Sequence, residues 1–223
     1  MNLSLAEKFI LLALKDESGA WVTGDTEILY ALPGCIIIEL TQNEYLRIEN
    51  KKLVISKEEL TGDPILDKAL TLIKESPKLK SPKVWVEKLS GKMKGLKDEY
   101  LSRLQEKGIL RLEKGKVLWI FDTKKYPTNN PMPELKLRQK IRDVVIAGSS
   151  PDPEMAALLS LVHATDLVNE IFEKDERKNA RKRIKEIFKE TKVGNPVAEM
   201  IEEIQVALTV VLMAAVVTTT VSS

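Results

Sequence analysis

The stretch that decides the fold is Leu60–Leu70, LTGDPILDKAL. Thr61-Gly62-Asp63-Pro64 reads as a turn that becomes a helix N-terminus. Asp63 is placed to accept backbone N–H bonds, and Pro64 suits the first helical position, where its missing N–H is not needed. Ile65, Leu66, Ala69, Leu70, Leu72 and Ile73 then recur at helical spacing. Directly beyond, Lys74, Lys78, Lys80, Lys83, Lys88, Lys92, Lys94 and Lys97 face only Glu75 and Glu87. A cationic surface on an otherwise balanced chain implies an anionic partner.

The balance is real: 223 residues carry a net charge of +2, so attraction must come from local asymmetry rather than from a polycation. At 43% hydrophobic and 30% charged, the composition fits a globular protein with a substantial core. One cysteine, Cys35, excludes an intramolecular disulfide and fits a reducing compartment. One cysteine and one histidine, His163, leave no Cys/His zinc site and no metal is expected. Neither GxGxxG nor GxxxxGK[ST] occurs, so no phosphate-cradling loop and no cofactor is implied. No acid/base or nucleophilic constellation appears, and no catalytic residue is assigned.

Outward from Leu60, the first helix is expected over Leu3–Leu14, with Ser4 and Glu7 forming a capping box. A second runs from about Thr26 to Leu32, where Pro33-Gly34 interrupts it or marks a close-packed boundary. Cys35–Leu40 is apolar and reads as helix or strand. Tyr45–Glu49 and Lys52–Ile55 read as a hairpin about Asn50-Lys51. After the Leu66–Glu75 helix come a Pro/Lys linker, helices from Val84 and over Leu96–Glu106, and Gly108 as a left-handed cap. Ile109–Glu113 and Lys116–Phe121 then form a second hairpin about Lys114-Gly115, giving a winged-helix-like unit. Helices follow at about Glu134–Ile146, Pro153–Val168, Asp175–Lys189 and Pro196–Val217. The apolar run Val206–Val217 is about 12 residues, short of the roughly 20 needed to span a bilayer, so a buried final helix is expected. The fold class is mostly α (α+β), a single compact helical domain over 1–223 with two small hairpins.

Several segments, in order along the chain, resemble the Golgi phosphoprotein 3 family of Golgi adaptors. They are Ser4-Leu5-Ala6-Glu7 with Leu11-Leu12-Ala13-Leu14, Gly34-Cys35 with Glu39-Leu40, Thr61-Gly62-Asp63 with Leu66-Asp67 and Ala69-Leu70, and Trp85-Val86-Glu87 with Leu89-Ser90-Gly91. Glu106-Lys107-Gly108-Ile109-Leu110, Phe121-Asp122, Thr128-Asn129-Asn130 and Leu161–Asp166 complete the set. The resemblance implies a mostly helical domain that acts as a cytoplasmic, peripheral membrane-surface adaptor. Its partners would be anionic phospholipid, phosphatidylinositol 4-phosphate in particular, and cytoplasmic tails of membrane proteins. The family's lipid pocket uses a tryptophan, an arginine before the Gly-Cys pair and two helix arginines. Here Pro33 stands before Gly34, the tryptophan position falls near Gly24 with Trp21 close by, and the helix arginines fall on Lys97 and Lys94. Lysine holds a phosphate as a point charge without the bidentate fork of arginine. The Lys- and Glu-heavy composition and the missing arginine point to a prokaryotic relative.

The lipid-headgroup site is therefore expected at Lys97, Lys94 and Trp21, with Arg138 as a further candidate. The rival reading of the lysine run is a solvated face, and of the α–Gly108–hairpin unit a winged-helix-like nucleic-acid-binding protein. Lys136, Arg138, Lys140 and Arg142 spread over about 200° of a helix at roughly 100° per residue, which favours a structural role. The Arg177–Lys185 run is interleaved with acids and reads as an ordinary charged face. His163, on an apolar face, reads as a hydrogen-bonded core residue with Asp166 as partner. Cys35 reads as a buried small hydrophobe. Trp85 and Trp119 read as core.

Overall fold

A computed structural model describes residues 2–117, 121–191 and 196–221. Helix α1 (Leu5–Ala13) begins at Ser4, whose hydroxyl accepts the Glu7 N–H while the Glu7 carboxylate accepts the Ser4 N–H, the expected capping box. Helix α2 (Asp25–Gln42) is the centre of the molecule. Ala31, Leu32, Cys35, Ile36, Ile37, Ile38 and Leu40 are buried on all its sides, as a fully enclosed helix requires. The Cys35–Leu40 run is thus helical, and Pro33-Gly34 does not interrupt α2. The missing Pro33 N–H costs on the order of 3 kcal/mol in a helix interior, but burial of the apolar flanks on both sides outweighs it. Gly34 has a different role: a Cβ there would lie 3.0 Å from Cγ2 of Ile204, so its absence lets the last long helix come close.

Strands β1 (Leu46–Glu49) and β2 (Lys52–Ile55) pair antiparallel about Asn50-Lys51. Both turn residues have positive φ, 49° and 60°, the geometry whose twist matches paired strands. Helices α3 (Pro64–Lys74), α4 (Pro82–Lys92) and α5 (Leu96–Glu106) follow. Asp63 caps α3 by accepting from Ile65 N at 2.8 Å, and its two oxygens also take both terminal nitrogens of Arg103 on α5. Gly108, at φ 68°, ends the α5 turn as expected.

The second hairpin is displaced from its expected place. Strands β3 (Glu113–Val117) and β4 (Phe121–Lys125) pair with Val117 opposite Phe121. Lys114-Gly115 therefore lies within β3 rather than at a turn. Turn-forming composition misled here because the register is set by the pairing partners: Leu110 bridges Thr128, and Arg111 N donates to Pro127 O at 3.0 Å. Trp119 lies outside the described residues.

Helices α6 (Met132–Val145), α7 (Pro153–Ala164), α8 (Val168–Ile171), α9 (Arg177–Thr191) and α10 (Pro196–Val221) complete the order. The expected Pro153–Val168 helix is split, because Asp166 takes φ 57°. Its carboxylate accepts from Asn169 and Arg181, both at 2.7 Å, which holds the left-handed corner. Met200, Ile204, Ala207 and Leu208 of α10 are buried against the core, and α10 packs on α2, α4 and α7. Burial of the whole Val206–Val217 run does not hold: Val206, Val210 and Met213 are exposed. They recur at spacings of four and three residues, so they share the face of α10 opposite its packed side. Cys35 and Trp85 are buried as expected.

Asp63 joins a helix cap to a link between α3 and α5. Asp63→Ala removes both and leaves the half-buried Arg103 guanidinium without its carboxylate, so unfolding in urea should show a loss of about 2–4 kcal/mol. Asp63→Asn keeps the cap and should lose less. Equal losses for the two variants would show that only the charge matters.

Candidate anion-binding site

The expected headgroup residues lie where the start of α2 meets the turn between α4 and α5. The loop before α2 is held from three sides. Val22 N donates to Ala13 O at 2.9 Å, Lys15 N to Ala20 O at 2.8 Å, and Thr128 N to Asp16 O at 2.9 Å. Thr128 Oγ1 adds a 3.0 Å bond to the Asp16 carboxylate. Trp21, which bridges Leu14, is half-buried and positioned by this frame. Lys97 extends from the first turn of α5 with its ammonium 5.2 Å from the centre of the Trp21 ring, within cation–π range. The same ammonium lies 2.9 Å from Asp25 Oδ1, in the first turn of α2.

Lys97 and Asp25 rim a cleft of about 390 Å³, lined also by Thr26, Ile28, Leu29, Leu32, Ser90, Met93, Lys94, Gly95 and Leu96. The fold thus brings Lys94 and Lys97 to one cleft and Trp21 to Lys97. Pro33 is buried inside α2 and Arg138 does not line the cleft. Arg138 instead donates to the buried Glu134 carboxylate at 2.7 Å and to Glu170 O at 3.3 Å. Arg142 makes a two-point pair with Glu176. Both α6 arginines thus have partners within the fold. The residue that sequence reading missed is Asp25. Its one signal is an acidic side chain in a first helical turn, which does not say that a lysine 72 positions away will meet it.

The Lys74–Lys97 run does not act as one patch. Lys74 pairs with Glu58 at 2.6 Å, and Lys97 with Asp25. Lys88 lies over the Trp85 ring at 5.8 Å. Lys80 has its pKa lowered by desolvation and by the nearby charges of Lys88 and Lys78, so these three form a separate cationic group.

A second, polar cavity of about 330 Å³ lies at the C-terminal end of α2, beside the starts of α1, α3 and α7 and the end of α5. Glu7, almost fully buried, takes the Lys107 ammonium with both oxygens. Asp63 pairs with Arg103, and Glu154 with Lys8. Burial pushes the Asp63 carboxyl up, but Arg103 and the Ile65 and Leu66 N–H groups outweigh it and hold the pKa below the usual value. Glu39 has only the Leu5 backbone N–H to offset burial, and it is outweighed. Its Oε2 is buried without a hydrogen-bond partner, and burial together with Asp63, Glu154 and Glu7 pushes its pKa up to about 7.

His163 also departs from expectation. Its Nδ1 is buried without a partner, and Asp166 is engaged by Arg181 and Asn169 instead. Burial, with Lys185 and Arg181 nearby, lowers its pKa. The left-handed turn at Asp166 accounts for the miss, since the side chains no longer follow helical spacing.

The described residues thus form a helical body with two antiparallel hairpins and a cleft beside its central helix, rimmed by Lys94 and Lys97. Residues 5–204 match the family described as Golgi phosphoprotein 3 (GPP34), and the chain belongs to that family. Over 167 residues it is 31% identical to Vacuolar protein sorting-associated protein 74 of Schizosaccharomyces pombe, covering 66% of this chain and 48% of that protein. The chain thus spans about half the length of the relative it matches. That relative is fungal and lends no support to a prokaryotic origin.

Glu39 generates a pH prediction. The folded chain holds its proton up to about pH 7, whereas an ordinary glutamate releases it near 4.5. The folded state therefore binds more protons between these values, and stability falls as pH rises from about 4.5 through 7. Glu39→Gln removes this dependence. Its stability relative to the parent chain should rise between pH 5 and pH 8 by up to about 3 kcal/mol, measured by urea unfolding at both pH values. A constant difference would place the Glu39 carboxylate in contact with water.

Proposed function

We propose that this chain is a non-enzymatic adaptor that lies on a membrane surface and binds anionic lipid headgroups through Lys97, Lys94 and Trp21. The single observation that carries the reading is that Lys94 and Lys97 line one cleft, with Lys97 paired to Asp25 at 2.9 Å and 5.2 Å from the Trp21 ring. Family membership supports it. Phosphatidylinositol 4-phosphate is the headgroup that the family resemblance implies, and cytoplasmic tails of membrane proteins are the second class of partner. The name of the fission-yeast relative, a vacuolar protein sorting-associated protein, is in keeping with a sorting adaptor. Among the described residues no helix is long and apolar enough to cross a membrane, so attachment through the surface is the mode proposed.

Chemistry limits the specificity. Lys97 and Lys94 attract a phosphate as point charges, and Pro33 supplies no donor where the family has an arginine fork. Discrimination among phosphoinositide isomers should therefore be poor. Lys97 is also shared. Asp25 is largely exposed, so the pair is worth no more than about 1 kcal/mol, and an incoming headgroup can take the ammonium over.

Flotation with vesicles tests this. Vesicles with anionic lipid should carry the chain, neutral ones should not, and binding should weaken as salt rises. A cation near the surface contributes ~1 kcal/mol, so reversing it at a direct contact removes about 2 kcal/mol, roughly 30-fold in affinity. Lys97→Glu should show a loss of this order. Lys182→Glu makes the same change in net charge at a site that is 79% exposed on α9 and should lose far less. Equal losses would mean that only diffuse charge matters. Retention on duplex DNA at matched salt, without flotation, would favour the winged-helix-like reading instead.

Asp25→Asn frees Lys97 and should tighten binding to anionic vesicles about two- to fivefold, within the range of an exposed ion pair. Glu99→Gln, with the same charge change elsewhere on α5, is the control. An equal gain from both would assign the effect to long-range charge.

A further inference from the structure

The cleft beside Lys94 and Lys97 is not built like a pocket for a polyhydroxylated headgroup. Below the charged rim its walls are Ile28, Leu29 and Leu32 of α2 facing Met93 and Leu96. Thr26 and Ser90 are the uncharged polar side chains among its lining residues. A sugar-like ring pressed against these walls would lose water from its hydroxyls without replacing those hydrogen bonds. A hydrocarbon chain would gain by the same move. Leu29 is 48% exposed although it lies beside the central helix core, and it marks where apolar surface is left open. The volume of about 390 Å³ falls in the range of small-molecule sites and equals about a dozen water-sized volumes.

We propose that the cleft binds an anionic lipid as an amphiphile. Its charged head sits at Lys94 and Lys97, and the first part of one acyl chain lies in the cleft along the exposed Leu29, over a floor of the buried Leu32 and Met93. The occupant is fixed by charge complementarity: two ammonium groups stand at the mouth of an apolar slot, so the partner must be anionic at one end and apolar at the other. Asp25 gives up Lys97 to the head and returns to it when the lipid leaves. This rests on the membrane-surface reading and deepens it, because it makes the chain itself part of what is recognised.

The test uses the full chain and soluble probes. Dioctanoyl phosphatidylserine, kept below its aggregation concentration, is compared by titration calorimetry with glycerophosphoserine, which is the same head without chains, and with neutral dioctanoyl phosphatidylcholine. The anionic dioctanoyl lipid should bind at least tenfold more tightly than either. Leu29→Trp fills the slot from a half-exposed position that the fold tolerates and should remove that advantage. Leu29→Ser, which cannot overpack, should reduce it as well. Lys97→Glu should weaken the anionic lipid and leave the neutral one unchanged. If glycerophosphoserine binds as tightly as the dioctanoyl lipid, or both Leu29 variants keep the full advantage, the slot does not read the chain and the inference is overturned. Equal binding of the neutral lipid also overturns it. Flotation with anionic vesicles but no binding of the soluble lipid would overturn the inference and leave the surface reading standing. Failure of both vesicles and soluble lipid would remove both.

Discussion

Everything in this fold is arranged around one helix that has no solvent face over most of its length. From Ala31 to Leu40, α2 buries side chains in every direction except at Glu39, so each neighbour must meet it with apolar surface. The close approach of α10 at Gly34 follows from this. So does the cost of placing Glu39 on such a helix, where a carboxylate is deprived of water and faces three others. The ion pairs Glu7–Lys107, Asp63–Arg103 and Lys8–Glu154 balance those others one by one and leave Glu39 as the group that absorbs the remaining electrostatic strain.

The two ends of α2 serve different purposes. Its first two turns carry the exposed Asp25 and Leu29 and the rim of the cleft, while its middle is committed to packing. A binding site at the end of a rigid central helix inherits a fixed position without asking the core to hold polar groups. The Trp21 loop is fixed to the same frame by backbone bonds from Ala13 and Thr128 rather than by its own contacts with the cleft. The aromatic ring is held beside Lys97 by the fold itself, so the binding proposed would require little ordering.

Local chemistry was legible in the sequence. Ser4 with Glu7, Asp63 with Pro64, and Asn50-Lys51 each encode their geometry within a few residues, and α1, α3 and the first hairpin stand where those signals put them. The pattern around Pro33 was ambiguous, because a proline that would end an exposed helix is tolerated where both flanks are buried. Lys114-Gly115 has the composition of a turn, but pairing register depends on residues across the hairpin. Lys97 and Lys94 stood in the cationic run by composition, and only the family resemblance singled them out from it as headgroup candidates. The Asp25 partnership joins two helix starts that are remote in sequence, and the apolar lining of the cleft depends on which leucines the other helices leave uncovered. Arg138 was a cation with two uses open to it, and its contact with Glu134, one turn before it, was within reach of helical spacing.

The pairing of α2 with α10 has a consequence for synthesis on the ribosome. About 150 residues separate the end of one helix from the start of the other, and the core cannot close until the second has left the exit tunnel. Until then the Ile36-Ile37-Ile38 stretch lacks one of its main covers. Contacts of such wide sequence separation form late and leave sticky intermediates. The nascent chain is thus a natural client for chaperones that hold apolar segments, and slow elongation through the charged Arg177–Lys189 stretch would lengthen the interval in which it needs them.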